Sequence, residues 1–292
     1  MNPRVSVVVP TRNRLSQLQR AISAVRNQTF RDFEVIVVVD GSTDDTLPWL
    51  QSYGAGLHVL TKNNPIGAAA ARNSGIAHAR GELIAFLDDD DVWRASYLEA
   101  QVAHLDSHPG ASLSYTDHVN VDSKGEITWP KIKPLLRYES DLLWLLSECF
   151  IHSLSIVVCR RKLFEEVGVF DPDLMIVHDL EWYARLLMAG RTFTHLSSAL
   201  VQRSVPGGLV TSHRKWFREE SAVLTRVLDN SPAKKEHECM IRAYRALFFA
   251  HLAIVKLDFV FGLARLLEAL TQFSHWTMRA ALLRLRHQRD VR

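Results

Sequence analysis

Residues 86–93, FLDDDDVW, end an apolar run in four consecutive carboxylates. Adjacent like charges repel, and an interior strand can end this way only where a cation or abundant water compensates. In extended backbone alternate side chains share a face, so Asp88 and Asp90 are expected to point one way and Asp89 and Asp91 the other. Two carboxylates on one face suit a hard divalent cation with oxygen ligands, and Mg²⁺ or Mn²⁺ held in this manner commonly also grips a substrate phosphate. The competing reading is a helix start, with the acidic residues at the N-terminal dipole of a helix running from about Trp93.

Two other polar clusters follow apolar runs upstream: PTRN at 10–13 and DGSTDD at 40–45. The runs themselves are VSVVV (5–9), VIVVV (35–39), LHVL (57–60) and LIAFL (83–87). Continuous Val/Ile/Leu runs suit strands buried on both faces. Between and after them Leu15, Leu18, Ile22 and Val25, and then Leu98, Val102 and Leu105, recur at helical spacing. Strands alternating with helices predict a doubly wound α/β domain with a parallel sheet, whose ligands bind beyond the carboxyl ends of the strands. All three polar clusters fall at such ends. Each alone is ordinary turn chemistry, since Asp, Gly, Ser and Pro dominate turns for local backbone reasons; the coincidence of three points to one site.

Past Ser112 the pattern loosens: a hairpin turning at DSKG (122–125), a Trp/Leu-rich helix near 141–147, a strand at SIVVC (155–159) and a helix from about 180 to 189. From about 213 the chain reads as helices. Hydrophobic residues at 47% and charged ones at 23% match a globular protein and exclude a largely disordered chain. A net charge of +3 gives no ground for a nucleic-acid partner. Cys149, Cys159 and Cys239 lack zinc-site spacing, and a reducing, cytoplasmic compartment is expected. Neither a secretory leader nor a membrane span is expected: the run before Pro10 is short, and His251, Lys256, Asp258, Arg265 and Glu268 interrupt the most apolar late segment.

The chain resembles the family 2 glycosyltransferases, which carry the GT-A, Rossmann-like fold of nucleotide-diphospho-sugar transferases. The resemblance rests on VSVVVPTRNR, NQTFRDFEVIVVVDGSTDDT, NNPIGAAAARNSGIAHARGELIAFLDDDD, VGVFDPDL and HDLEWYARLLMAG, in that order, across roughly 4–205. It implies a mostly parallel sheet flanked by helices in a domain over 1–210, divided into a nucleotide-sugar half (1–111) and an acceptor half (112–210). A helical C-terminal region, 211–292, follows. It also implies that Pro10 and Thr11 line the nucleotide site, that Asp40 bonds the base and that Arg72 reaches the nucleotide. The family's D-x-D element maps onto Asp88, Asp89 and Asp90, with Asp90 the metal ligand and Asp88 nearer the ribose or diphosphate. Four Asp in a row leave that register open by one, toward Asp91. Asp179 takes the position of the catalytic base; His178 stands where an acidic neighbour is usual, so His178 and Glu181 are alternatives as assistants. A plain N-cap is the structural alternative for Asp179.

The reaction so implied is an inverting, Mg²⁺- or Mn²⁺-dependent transfer from a UDP- or dTDP-sugar to a hydroxyl of a carbohydrate or lipid-linked acceptor, in cell-surface polysaccharide or glycolipid synthesis. In PGGLVTSHRKWF (206–217), His213, Arg214 and Lys215 come near a helix start, where cations oppose the dipole. Donor-diphosphate binding through His213 and Arg214 motivates that placement, and a solvated surface is the alternative. From 259 to 292 the basic, Leu-rich tail suits either an anionic membrane surface at the inner face of the cell membrane or packing on the catalytic domain or on a second subunit of a homodimer. Two other functions remain open at this level: a sugar-nucleotide-binding scaffold without turnover, and a phosphohydrolase of the haloacid dehalogenase type, whose acidic motif normally follows the first strand.

Overall fold

The structure, a computed structural model, describes residues 2–54, 56–122, 126–128, 141–205, 213–230, 241–242, 246 and 261–272. In chain order the elements are β1 (Val5–Thr11), α1 (Leu15–Arg26), β2 (Phe33–Asp40), α2 (Thr46–Ser52), β3 (His58–Lys62), α3 (Ala68–His78), β4 (Leu83–Phe86), β5 (Val92–Trp93), α4 (Tyr97–Ser107), β6 (Leu113–Asp122) and β7 (Ile127–Thr128). They continue with α5 (Asp141–Glu148), β8 (Val157–Arg160), α6 (Leu163–Glu166), α7 (His178–Met188), β9 (Phe193–Val205) and α8 (His213–Asp229). The chain forms two compact units, 1–133 with 151–209, and 134–150 with 210–292.

In the first unit one sheet runs in the order β3-β2-β1-β4-β8-β6-β9-β5, with β7 beside β6. Strands β3, β2, β1 and β4 are mutually parallel. Strand β8 is antiparallel to both β4 and β6, and β9 is parallel to β6. Hence β6 and β9 run the same way as β1, β2 and β4. The carboxyl ends of all five, together with the amino end of β8, meet at one edge. The doubly wound reading thus holds for the first half, while β8 and the short β5, antiparallel to β9, make the sheet mixed.

The core follows from the apolar runs. Val5, Val7, Val8 and Val9 of β1 and Val35 to Val39 of β2 are buried, as are Leu18, Ala21, Ile22, Ala24 and Val25 of α1. Each valine, leucine or isoleucine among them contributes about 1.5–3 kcal/mol when fully removed from water. Helix α3 packs against β1 and β2 through small residues, and a Cβ on Gly75 would lie 2.4 Å from Val8 Cγ1. That close approach brings Arg72, on the buried side of α3, toward the end of β4.

Three expectations are corrected. The acidic run is not a helix start: Val92–Trp93 pairs with β9, and α4 begins only at Tyr97. The run SIVVC opens with a 3₁₀ turn at Leu154–Ile156 before β8. The 13-residue β9 has no counterpart in the sequence reading, because FTHLSSALVQRSV lacks a β-branched run and its register against β6 slips twice, next to Asp117. The hairpin joining β6 and β7 is present, although the tip at 123–125 lies outside the described residues.

The second unit contains α5, α8 and a helix over 261–272. Arg265 lies over the rings of Phe217 and Phe261, 4.3 and 5.4 Å from their centroids, and pairs with Glu268. Leu263, Leu266, Leu267 and Leu270 are exposed at helical spacing. Residues 273–292, with the remaining arginines of the tail, lie outside the described residues.

Gly75→Val overfills the α3–β1 contact. It is expected to lower stability by about 1–3 kcal/mol, read as a drop in urea midpoint at unchanged m-value; an unchanged midpoint would mean that α3 does not need this approach.

Candidate functional site

The four carboxylates form a turn, not the extended segment their alternation suggested. Asp91 N–H donates to the Asp88 carbonyl at 3.0 Å. Burial nevertheless alternates: Asp88 and Asp90 are partly exposed, whereas Asp89 and Asp91 are 5% and 2% exposed.

Each carboxylate has its own neighbours. Asp89 accepts from Thr11 Oγ1 at 2.8 Å and from Arg14 Nη1 at 3.1 Å. The same Arg14 nitrogen reaches Asp90 Oδ2 at 3.0 Å. Asp91 accepts from the Ser204 N–H at 2.9 Å, with Ser153 Oγ at 3.4 Å. Asp88 is ion-paired to Arg72, and its own N–H donates to Ser155 Oγ. Burial penalises the Asp88 carboxylate, but Arg72, with Arg203 behind it, outweighs this and holds Asp88 below the ordinary range. The others go the opposite way. Burial raises Asp89 to about 6 against the pull of Thr11 and Arg14, and burial with Asp88 alongside raises Asp91 to about 8. Burial and Asp88 also raise Asp90. Burial thus favours the neutral acid at three of the four positions, and Arg72 keeps Asp88 ionised.

The PTRN cluster meets the acidic turn through hydrogen bonds, and the DGSTDD cluster meets PTRN. Besides Thr11 and Arg14, Asn13 links to the second cluster by accepting the Thr43 N–H at 2.7 Å and donating its own N–H to Ser42 Oγ at 3.0 Å. Pro10 lies beside Val38 in the β1–β2 register. Asp40 is 5% exposed, and its two oxygens accept the Ile66 and Gly67 N–H groups at 2.7 and 3.0 Å. It holds the loop entering α3. Gly41, at φ +65°, has no room for a Cβ, which would fall 2.8 Å from Pro65 N.

Arg72 is 6% exposed, an unusual burial for an arginine on a helix. It bridges two parts of the site: one terminal nitrogen meets Asp88, and the other lies 2.8 Å from His178 Nε2. A guanidinium only donates, so His178 Nε2 accepts and its proton is on Nδ1, which is buried with no partner among the described residues. Burial and Arg72 push His178 down to about 3, so it is neutral. Asp179, the next residue, is raised by burial, against the Leu180 N–H and Arg72. It is not the N-cap, which is Val177. Glu181 is turned away into contacts with Arg185 Nε at 2.8 and 3.0 Å.

The start of α7 is held by aromatic packing. Phe164 stacks on Trp182 at 4.7 Å, and Phe170 packs edge-on to His178 and Trp182. Asn73, beside Arg72, exchanges hydrogen bonds of 2.8 and 3.1 Å with the Phe170 backbone, tying α3 to that cluster.

Sequence reasoning missed Arg14 and Arg203. Arg14 lay in view, one residue past PTRN. Arg203 had no signal, because β9 was not read as a strand. Its charge acts on Asp88, Asp90, His118 and His152. His213 and Arg214 open α8 in the second unit, and their side chains lie outside those described; Lys215 approaches Glu219 at 4.0 Å.

A family model described as "Glycosyl transferase family 2" matches residues 6–168. An uncharacterized glycosyltransferase of Rickettsia prowazekii (strain Madrid E) is 30% identical over 199 residues, 66% of this chain and 62% of the relative. The chain thus spans less than two thirds of that relative's length. The UDP-Glc:alpha-D-GlcNAc-diphosphoundecaprenol beta-1,3-glucosyltransferase WfgD of Escherichia coli is 31% identical over 160 residues, 54% of this chain and 61% of its own. Among solved structures, S. aureus TarS 1–349 in complex with UDP-GlcNAc has a TM-score of 0.65 at 22% identity, over 85% of this chain and 72% of that one. The mannosyltransferase PcManGT of Pyrobaculum calidifontis, in complex with GDP-Man and Mn²⁺, has a TM-score of 0.63 at 19% identity, over 100% and 81%. These likenesses show a GT-A fold. The acidic turn follows β4 rather than a first strand, against the phosphohydrolase alternative.

The shifted groups predict a stability maximum near neutral pH. His118, His152 and His178 have folded values of about 3, 4 and 3, below the ordinary imidazole value of about 6.5. Their contribution is present above that value and is lost as pH falls. Asp91 is raised, so its contribution is present at low pH and is lost as pH rises through about 8. Without metal, the thermal midpoint should peak near pH 6–7 and fall on both sides. Asp91→Asn should flatten the alkaline limb. A midpoint still rising from pH 7 to 8.5 would contradict this assignment.

Proposed function

The chain belongs to glycosyl transferase family 2, and from that premise we propose that it moves a sugar from a UDP- or dTDP-sugar to an acceptor hydroxyl, inverting the anomeric centre. The observation that carries this reading is the Arg72 bridge, in which one guanidinium meets Asp88 of the acidic turn and the imidazole adjoining Asp179. In this reading the acidic turn faces the donor diphosphate, and Asp179 removes the proton of the attacking hydroxyl. Its raised pKa suits the task, since a base works best when its pKa lies nearer the operating pH; such help is worth about 10²- to 10⁴-fold. Arg72 orients the helix that carries the base and keeps Asp88 ionised. Thr11 and Arg14 hold Asp89 and Asp90, and Pro10 with Asp40 shapes the wall on the nucleotide side.

No three acidic, imidazole or thiol groups among the described residues converge on one point. A divalent ion that grips a diphosphate requires only one or two carboxylates, because phosphate oxygens and waters complete the shell. Asp90, with Asp88, fits that demand: oxygen donors, partly exposed, in one turn. Bound there, Mg²⁺ or Mn²⁺ would neutralise charge developing on the departing diphosphate. The UDP-GlcNAc of the TarS complex and the Mn²⁺ of the PcManGT complex support this choice of donor class and cofactor.

The name of WfgD, with its diphosphoundecaprenol acceptor, supports a lipid-linked acceptor. No described helix is long and apolar enough to cross one. The exposed face Leu263, Leu266, Leu267 and Leu270 suits contact with a lipid surface instead.

Asp179→Asn is expected to lower kcat at least about 10²-fold with little change in donor KM. Full turnover in that variant would remove Asp179 as base, and absence of transfer and donor hydrolysis in the wild type would favour a binding scaffold. Full-length protein carrying Leu266→Asp and Leu267→Asp should lose flotation with vesicles of mixed neutral and anionic phospholipid. Equal flotation would remove the membrane contact, and dissociation of an oligomer would reassign the face to a second copy.

A further inference from the structure

His118 and His152 stand at the same sheet edge as the acidic turn, and the reaction just described makes no use of either. His118 is near the carboxyl end of β6, and His152 precedes the amino end of β8. Their rings meet edge to face at 5.4 Å. His118 is 1% exposed and neither of its ring nitrogens has a partner among the described residues, while His152 is the partly exposed member.

The neighbouring atoms continue the pattern. Thr116, His118 and Asn120 alternate along β6 and so share one face; Thr116 Oγ1 and Asn120 Oδ1 are also buried and without partners among the described residues. Such groups lose their water on folding and get nothing back from the protein, so a stripe of them is a standing cost unless a ligand or water engages it. Asn120 faces Arg203 across the β6–β9 register. Burial, the partner imidazole and Arg203 push His118 down to about 3; burial and Arg203 push His152 down to about 4. Both rings are neutral, each with one N–H and one lone pair.

These atoms specify the ligand's chemistry. The amide oxygen and the imidazole lone pairs need donors, and the ring N–H groups need acceptors. A phosphate or carboxylate can only accept. A hydroxyl does both, and neighbouring hydroxyls on a sugar ring do so at two points at once. The stripe also lies on the β6–β9 side of the acidic turn, across β8 from the β1, β2 and β4 ends that form the nucleotide side.

We propose that His118 and His152, with Asn120 beside them, read the hydroxyl groups of the acceptor sugar and so set acceptor specificity. This rests on the glycosyl-transfer reading above. Arg203 supports the pair by disfavouring a proton on either ring.

The test uses the full chain with the UDP-sugar that turns over fastest. N-acetylglucosaminyl diphosphate on a short prenyl chain and a series of p-nitrophenyl glycosides serve as acceptor probes, with donor hydrolysis followed in parallel. His118→Phe should raise the acceptor KM about tenfold, the size of one lost hydrogen bond, and leave the donor KM within about twofold. His118→Gln, which keeps a donor and an acceptor, should recover part of the loss. In histidine-labelled wild type, the ring signals of His118 and His152 should move on adding the acceptor probe with UDP present, but not with UDP and Mg²⁺ alone. This second measurement stands even if His118→Phe folds poorly. A donor KM that rises with the acceptor KM, ring signals that follow UDP alone, or an unaltered acceptor KM in His118→Phe would each overturn the proposal; the last would mean that the stripe holds ordered water only. A wild type that neither transfers nor hydrolyses would instead bring down glycosyl transfer itself, and this inference with it.

Discussion

The contact between Arg72 and Asp88 is the constraint on which the rest of the site depends. Four carboxylates at one strand end repel one another, and burial alone would drive all of them toward the neutral acid. Arg72 reverses this for one of them and keeps Asp88 ionised at the tip. The same guanidinium then has a second valence to fill, and it fills it with a neutral imidazole. The acidic turn and the start of α7 are thereby linked through a single rigid fork rather than through loops.

That link depends on how closely α3 can approach the sheet. Small residues at Ala69, Ala71 and Gly75 let the helix settle against β1 and β2, and Asp40 captures the loop that leads into it. Asn73 extends the link to the Phe170 loop, whose ring packs on His178 and Trp182. A displacement of α3 would therefore move Arg72 and the start of α7 together. The remaining members of the acidic turn are held separately, from β1 through Thr11 and Arg14 and from β9 through Ser204. No two of the four carboxylates have the same set of partners, which is how the turn accommodates like charges in so small a space.

The histidine preceding Asp179 fits the same electrostatic logic. An acid at that position would compete with Asp88 for Arg72 and add to the crowding of negative charge. A neutral imidazole accepts one hydrogen bond and leaves the full positive charge for Asp88. Glu181, the nearest acid on α7, is occupied by Arg185.

By itself, the sequence determined the first half of the fold and the sheet edge at which three polar clusters meet. Unbroken Val/Ile/Leu runs admit little besides buried parallel strands, and three polar clusters at their ends locate a ligand edge, because both signals are local and periodic. The order of motifs was also enough to identify the family over residues 6–168. Tertiary structure alone decided which acid meets which cation. It made the four Asp a turn, put the Arg72 side chain inside rather than outside, and used Asp40 to hold a loop. It also brought β9, with Arg203, and the two histidines to the same edge. Apart from the Asp88–Asp91 turn itself, these are contacts between residues 16 to 113 positions apart, set by packing and by a bulged strand with no sequence period, so no local pattern could announce them.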